Sequence, residues 1–142
     1  YPVGASSDRY LYNQELGLDD GSTEPASAIS SYIESSQVDI GQGDRFSFVN
    51  RIIPDISFNA SAVSDPSANL VLKSRNFPGA GYEQTDTSGV TQTASSPIEL
   101  YTEKADVRLR GRSMTLRVES SAVGVQWKLG TPRMDVRPDG RR

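Results

Sequence analysis

Asp19, Asp20 and Glu24, and further on Asp39 and Asp44 around two glycines, are close-set carboxylates that could offer hard oxygen ligands to Ca²⁺. Their spacing matches neither an EF-hand nor a repeat calcium loop, and Asp with Gly is also ordinary tight-turn chemistry. A second candidate is the arginine row Arg108, Arg110, Arg112 and Arg117, which could track a phosphate backbone with salt-dependent affinity. Base-stacking aromatics are nearly absent beside it, and Trp127 sits at an inward phase. Arginines on a sheet face also pair with carboxylates across a strand or a subunit boundary. Tyr10, Tyr12, Tyr32, Tyr82 and Tyr101 could form a sugar-stacking platform, or pack at core edges from separate strands. The chain has no His and no Cys. Disulfides, thiolate chemistry, zinc sites built on nitrogen or sulfur and Ser-His-Asp triads are therefore outside its repertoire. Carboxylate pairs for glycoside hydrolysis need a set separation across a cleft, which spacing in a β protein does not reveal. The residues favour binding over catalysis, so no cofactor is expected.

The elements that must carry these side chains read as strands. Val107, Leu109 and Gly111 alternate with Arg108, Arg110 and Arg112, the period-two pattern of a half-buried strand. Met114, Leu116 and Val118 continue the apolar set one residue out of phase, which requires a bulge or turn around 111–113. Leu70 and Leu72 face inward on another strand, with Lys73 and Arg75 beginning its outward side. Phe46 and Phe48 share a face, and an apolar phase shift near 51–55 places a bulge or edge at Pro54. Residues 9–16 and 28–40 read as extended, and 98–101 resumes extended structure after a Thr, Ser and Gly-rich loop over 82–97. Val125, Trp127 and Leu129 share one face, and Met134 and Val136 line a last strand. The sum is an antiparallel all-β chain of about seven to nine strands with few or no helices. A single domain is expected over 1–142, a Greek-key or jelly-roll-like β-sandwich.

Composition agrees with thin β layers. Hydrophobic residues make up 35%, mean hydropathy is -0.49, and no run approaches the roughly 18 apolar residues that span a bilayer. The net charge of -3 hides a split. Residues 1–103 hold 5 Lys+Arg against 14 Asp+Glu, a net of -9, and residues 104–142 hold 10 against 4, a net of +6. Such asymmetry suits a nucleic-acid surface, or head-to-tail packing of a basic end on the acidic body of the next copy.

Several ordered motifs resemble a known group. Tyr12-Asn-Gln-Glu-Leu-Gly-Leu-Asp-Asp-Gly21, Tyr32-Ile-Glu-Ser35, Gly43-Asp-Arg-Phe46, Arg51-Ile-Ile-Pro-Asp55 and Val107-Arg-Leu-Arg-Gly-Arg112 come first. Arg117-Val-Glu-Ser120, Trp127-Lys-Leu-Gly130 and Asp135-Val-Arg-Pro-Asp-Gly-Arg-Arg142 complete the series. Together they resemble the C-terminal part of the tail hub or nozzle proteins of short-tailed bacteriophages, the packaged-DNA stabilisation type. The resemblance implies a non-enzymatic virion protein, the C-terminal segment of a longer chain with a β-propeller before it. It implies a homo-oligomeric ring, a hexamer, around the DNA exit channel, retaining packaged DNA until ejection. Its partners would be portal, adaptor and tail fibre or needle proteins, with non-specific contact to genomic DNA. Charge pairing then assigns Arg108, Arg110, Arg112, Arg133, Arg137, Arg141 and Arg142 to subunit contacts, and Asp19, Asp20 and Asp44 to the channel face. The alternative is a carbohydrate- or cell-surface-binding module on the same sandwich.

Overall fold

The computed structural model describes residues 1–40, 43–77, 80 and 92–140. Among them every regular element is a strand. In chain order these are β1 (Val3–Ala5), β2 (Leu11–Asn13), β3 (Ser31–Glu34), β4 (Val38–Asp39), β5 (Ser47–Ile53) and β6 (Ile56–Ser57). They continue as β7 (Ser67–Arg75), β8 (Thr93–Glu99), β9 (Ala105–Gly111), β10 (Ser113–Ser120), β11 (Lys128–Leu129) and β12 (Arg133–Pro138). The count exceeds the expected seven to nine because β1, β2, β4, β6 and β11 are only two or three residues long.

Two antiparallel sheets form a sandwich. One runs β3-β10-β7-β8, with β4 also paired to β10, and the other runs β12-β5-β9. Their facing side chains make one core: Val49 and Ile52 from β5, Ala68, Leu70 and Leu72 from β7, Ile98 from β8, Ala105, Val107 and Leu109 from β9, and Met114 and Val118 from β10. Trp127, Val125 and Leu129 pack at its margin, as their common phase predicts, and so does Val136 from β12. The Nε1–H of Trp127 donates to Ser31 Oγ at 3.1 Å, so its polar edge is satisfied where the ring is half-buried. The alternation along β9 is complete, with Ala105, Val107, Leu109 and Gly111 buried and Asp106, Arg108 and Arg110 exposed.

The phase slip at 111–113 has a larger cause than a bulge. β9 belongs to the three-stranded sheet and β10 to the five-stranded one, and Arg112 alone joins them. The chain therefore turns the corner of the sandwich in one residue. Two hydrogen bonds hold it there: Arg112 N–H donates to Arg75 O at 2.8 Å, and the Ser74 Oγ hydroxyl donates to Arg110 O at 2.9 Å. Gly111 is required by this approach, since a Cβ would lie 2.6 Å from the Ser74 Cβ. The strands of 107–120 and 127–136 accordingly divide between sheets, β9 and β12 in one, β10 in the other and β11 paired with β6.

Two further expectations change. The apolar shift in β5 falls at Asn50, where Val49 pairs with Val136 and Arg51 with Asp135, leaving one extra residue in β5. Ser47, Val49 and then Ile52 face the core, while Phe48 is half-buried on the other side. Within the loop expected over 82–97, Thr93–Glu99 is strand β8, and residues 81–91 lie outside the described residues. β8 is hard to see in sequence because small Ala94 and Ser96 occupy its inward positions. Pro97 is tolerated because β8 is an edge strand.

Of the strand expected over 9–16, only Leu11–Asn13 is extended, paired with β1 in a hairpin. Its loop is closed by Ser6 and Arg9, with Arg9 at φ 73°, and Tyr12 Oη donates to Asp8 Oδ2 at 2.8 Å. No helix among the described residues is long and apolar enough to cross a membrane.

Candidate interaction surface

The outer face of the three-stranded sheet collects most of the basic candidates. Antiparallel register sets side chains directly opposite one another on one face. Arg110, Phe48 and Arg137 thus form one cross-strand row, Asp106, Arg51 and Asp135 a second, and Ile53 with Arg133 a third. Ion pairs thread the middle row: Arg51 Nε lies 3.5 Å from Asp106, and Arg137 reaches Asp135 at 3.8 Å. Phe48 and Ile53 therefore stand in the outer rows, separated by the ion-paired row of Asp106, Arg51 and Asp135, on a face that is net basic.

The seven candidate arginines divide into three groups. Arg110 and Arg112 are engaged within their own chain. Their guanidinium carbons stand 3.9 Å and 4.8 Å from the centroid of the Phe46 ring, and Arg110 also pairs with Asp139. Phe46 shares the outward phase of Phe48, yet only 7% of it is exposed. Two cations cover its ring, each contact contributing about 0.5–1 kcal/mol at a surface position. Arg108, Arg133 and Arg137 are exposed, Arg137 with 68% of its side chain accessible. Arg141 and Arg142 lie outside the described residues.

Arg117, grouped with this row in sequence, is on the other sheet. Arg117 donates to Glu34 Oε2 at 3.0 Å and to Glu119 Oε2 at 2.6 Å, and its guanidinium stands 3.9 Å over the Tyr32 ring. Lys73 adds a contact to Glu34 at 3.4 Å. The Arg117 hydrogen bond, aided by Lys73, holds the Glu34 carboxyl below its ordinary value, and the same carboxylate raises the Arg117 pKa. These residues brace the outer face of the five-stranded sheet. Sequence gave no sign of it, since the partners sit on β3, β7 and β10.

The acidic candidates are dispersed. Both carboxylate oxygens of Asp19 accept from Gly124 N–H, at 2.8 and 2.9 Å, tying the N-terminal turn to the loop before β11. Asp20 forms an isolated bridge to Ser27 and accepts from Ser22 N–H at 3.0 Å; bonds from Ser22 lower its pKa. Asp44 lies elsewhere, on a cleft with Ile40, Phe46 and Val136, and its carboxylate is 3.7 Å from Arg45 Nε. Among the described residues no group of three or more acidic side chains converges as a metal site would require. The tyrosines do not gather into one platform either. Tyr10 and Tyr12 touch, with centroids 6.4 Å apart, while Tyr32 lies under Arg117, Tyr101 is in an exposed turn and Tyr82 is outside the described residues. A scan against protein-family models gives no match to this chain, and neither does a search of curated proteins.

Proposed function

We propose that this chain is a structural subunit of a tailed-phage particle, part of the tail hub or nozzle, that acts by assembly and not by catalysis. In this reading, copies form a ring around the DNA exit channel and retain the packaged genome until ejection. The ordered motifs from Tyr12 to Arg142 support the phage assignment, and the lack of His and Cys supports a non-enzymatic role. One observation carries the assembly reading: the outer face of β12-β5-β9 is net basic, with Arg108, Arg133 and Arg137 exposed beside the ion-paired Asp106, Arg51 and Asp135, on a chain whose first 103 residues are strongly acidic. A ring with unlike neighbouring faces needs two complementary patches on every subunit. Asp44 and Asp20 remain candidates for the channel side, where negative charge would keep DNA from binding tightly. Asp19 is committed to Gly124 and serves the fold first.

The test is size and location together. Native mass spectrometry of the purified protein should give a closed oligomer of fixed stoichiometry, and labelled antibody should mark the tail end of purified particles. A monomer at every concentration, with no label on any particle, would overturn the reading. A carbohydrate- or cell-surface-binding module is less supported. The polar cleft of about 370 Å³ lined by Ser30, Ser67, Asn69 and Ser120 has no aromatic ring for a sugar to stack on, and the cleft of about 740 Å³ beside the N-terminal hairpin has a single one, Tyr12.

A further inference from the structure

Strands β1 and β2 pair only with each other, and neither contributes to the core. A two-stranded hairpin alone is marginal in water, so its stability in use needs a surface to lie on. Its side chains have the character of one half of an interface. Leu11 is 76% exposed and Tyr10 67%, and Tyr1 and Val3 are likewise open. Leu11, Leu16 and Ile29 line one open cleft of about 740 Å³ beside the hairpin. Apolar residues scattered singly over a surface need no explanation, whereas contiguous ones mark contact sites.

Charge indicates the occupant. Residues 1–30 carry Asp8, Glu15, Asp19, Asp20 and Glu24 against Arg9 alone. The outer face of the three-stranded sheet is net basic, since Arg51, Arg108, Arg110, Arg133 and Arg137 outnumber Asp106 and Asp135, and Phe48 and the 45% exposed Ile53 stand in its outer rows. One chain thus bears an acidic apolar arm and a basic apolar face. We infer that the β1–β2 hairpin and its adjoining cleft dock on the outer face of β12-β5-β9 of a second copy. The two patches differ, so the contact is head-to-tail and leaves each end of a pair able to take another subunit. Opposite charges speed and orient the encounter, while Leu11 and Tyr10 against Phe48 and Ile53 supply the buried apolar area. This contact rests on the assembly reading above and specifies its interface.

Complementation distinguishes the two. A face variant carries Arg133→Glu with Arg137→Glu, and an arm variant carries Tyr10→Ser with Leu11→Ser. All four positions are exposed, and thermal melting should stay within a few degrees of the parent for both. Sedimentation velocity should show the parent as an oligomer and each variant, alone, associating about tenfold more weakly or less. Mixed in equal amounts, the intact arm of one variant meets the intact face of the other, giving one-to-one heterodimers and nothing larger. An arm variant that assembles like the parent, or a mixture without heterodimers, would overturn this contact and leave the assembly reading standing. A parent that is monomeric throughout would remove both.

Discussion

Glu34 accepts from Arg117 and Lys73 on the half-buried outer face of the larger sheet. Its carboxyl is held below the usual glutamate value, about 4.3, so its contribution to stability is full above that pH. The contribution is lost as pH falls through the lower, folded-state value. Glu34→Gln should therefore lower the urea midpoint at neutral pH, by the equivalent of about 0.5–1 kcal/mol for a partly exposed network. The gap between parent and variant should narrow as pH falls below the usual glutamate range. A gap that does not change with pH would show that the charge is irrelevant. None of this network is legible in sequence, because Arg117 and Glu34 are 83 residues apart. The same holds for Asp19 and Gly124, 105 residues apart, where a carboxylate that resembled a calcium ligand binds a backbone N–H. Phe46 under Arg110 and Arg112 is another such case, with partners brought together only by the pairing of β5 with β9.

Period-two alternation made β7 and β9 readable, since each buries every second side chain against the facing sheet. The slip after Gly111 was also readable as an interruption. Its meaning was not, because a bulge and a change of sheet shift the phase in the same way. β8 was hidden by the small and hydroxylated residues of an edge strand, and the bulge in β5 was displaced toward Pro54 because proline is the louder local signal. At the corner, Gly111→Ala forces a methyl group against Ser74 and the Arg75 carbonyl. Overpacking of this kind costs about 1–3 kcal/mol, which should lower the melting temperature by several degrees. Unchanged thermal unfolding would mean that the corner relaxes freely.

Taken whole, the molecule is a sandwich with unlike exteriors. One outer face is braced by Arg117, Glu34 and Lys73, and the other is net basic, with Arg108, Arg133 and Arg137 exposed beside the ion-paired Asp106, Arg51 and Asp135. The split in charge along the sequence does not map onto these two faces, because strand order mixes both segments in each sheet. Association driven by exposed charges should weaken as the screening length falls from about 10 Å at 0.1 M salt to about 3 Å at 1 M. Sedimentation over that range should show smaller species at high salt, and Arg108→Glu should move the transition to lower salt. Oligomers indifferent to salt would assign the contact to apolar burial alone.

The single-residue passage from β9 to β10 has a mechanical consequence. Because one continuous stretch of backbone is stitched into both layers, the layers cannot shear past each other without tearing bonds at Ser74, Arg75 and Arg112. A push along either exterior is thus resisted first at this corner, by the bonds of Ser74 to Arg110 O and of Arg112 to Arg75 O.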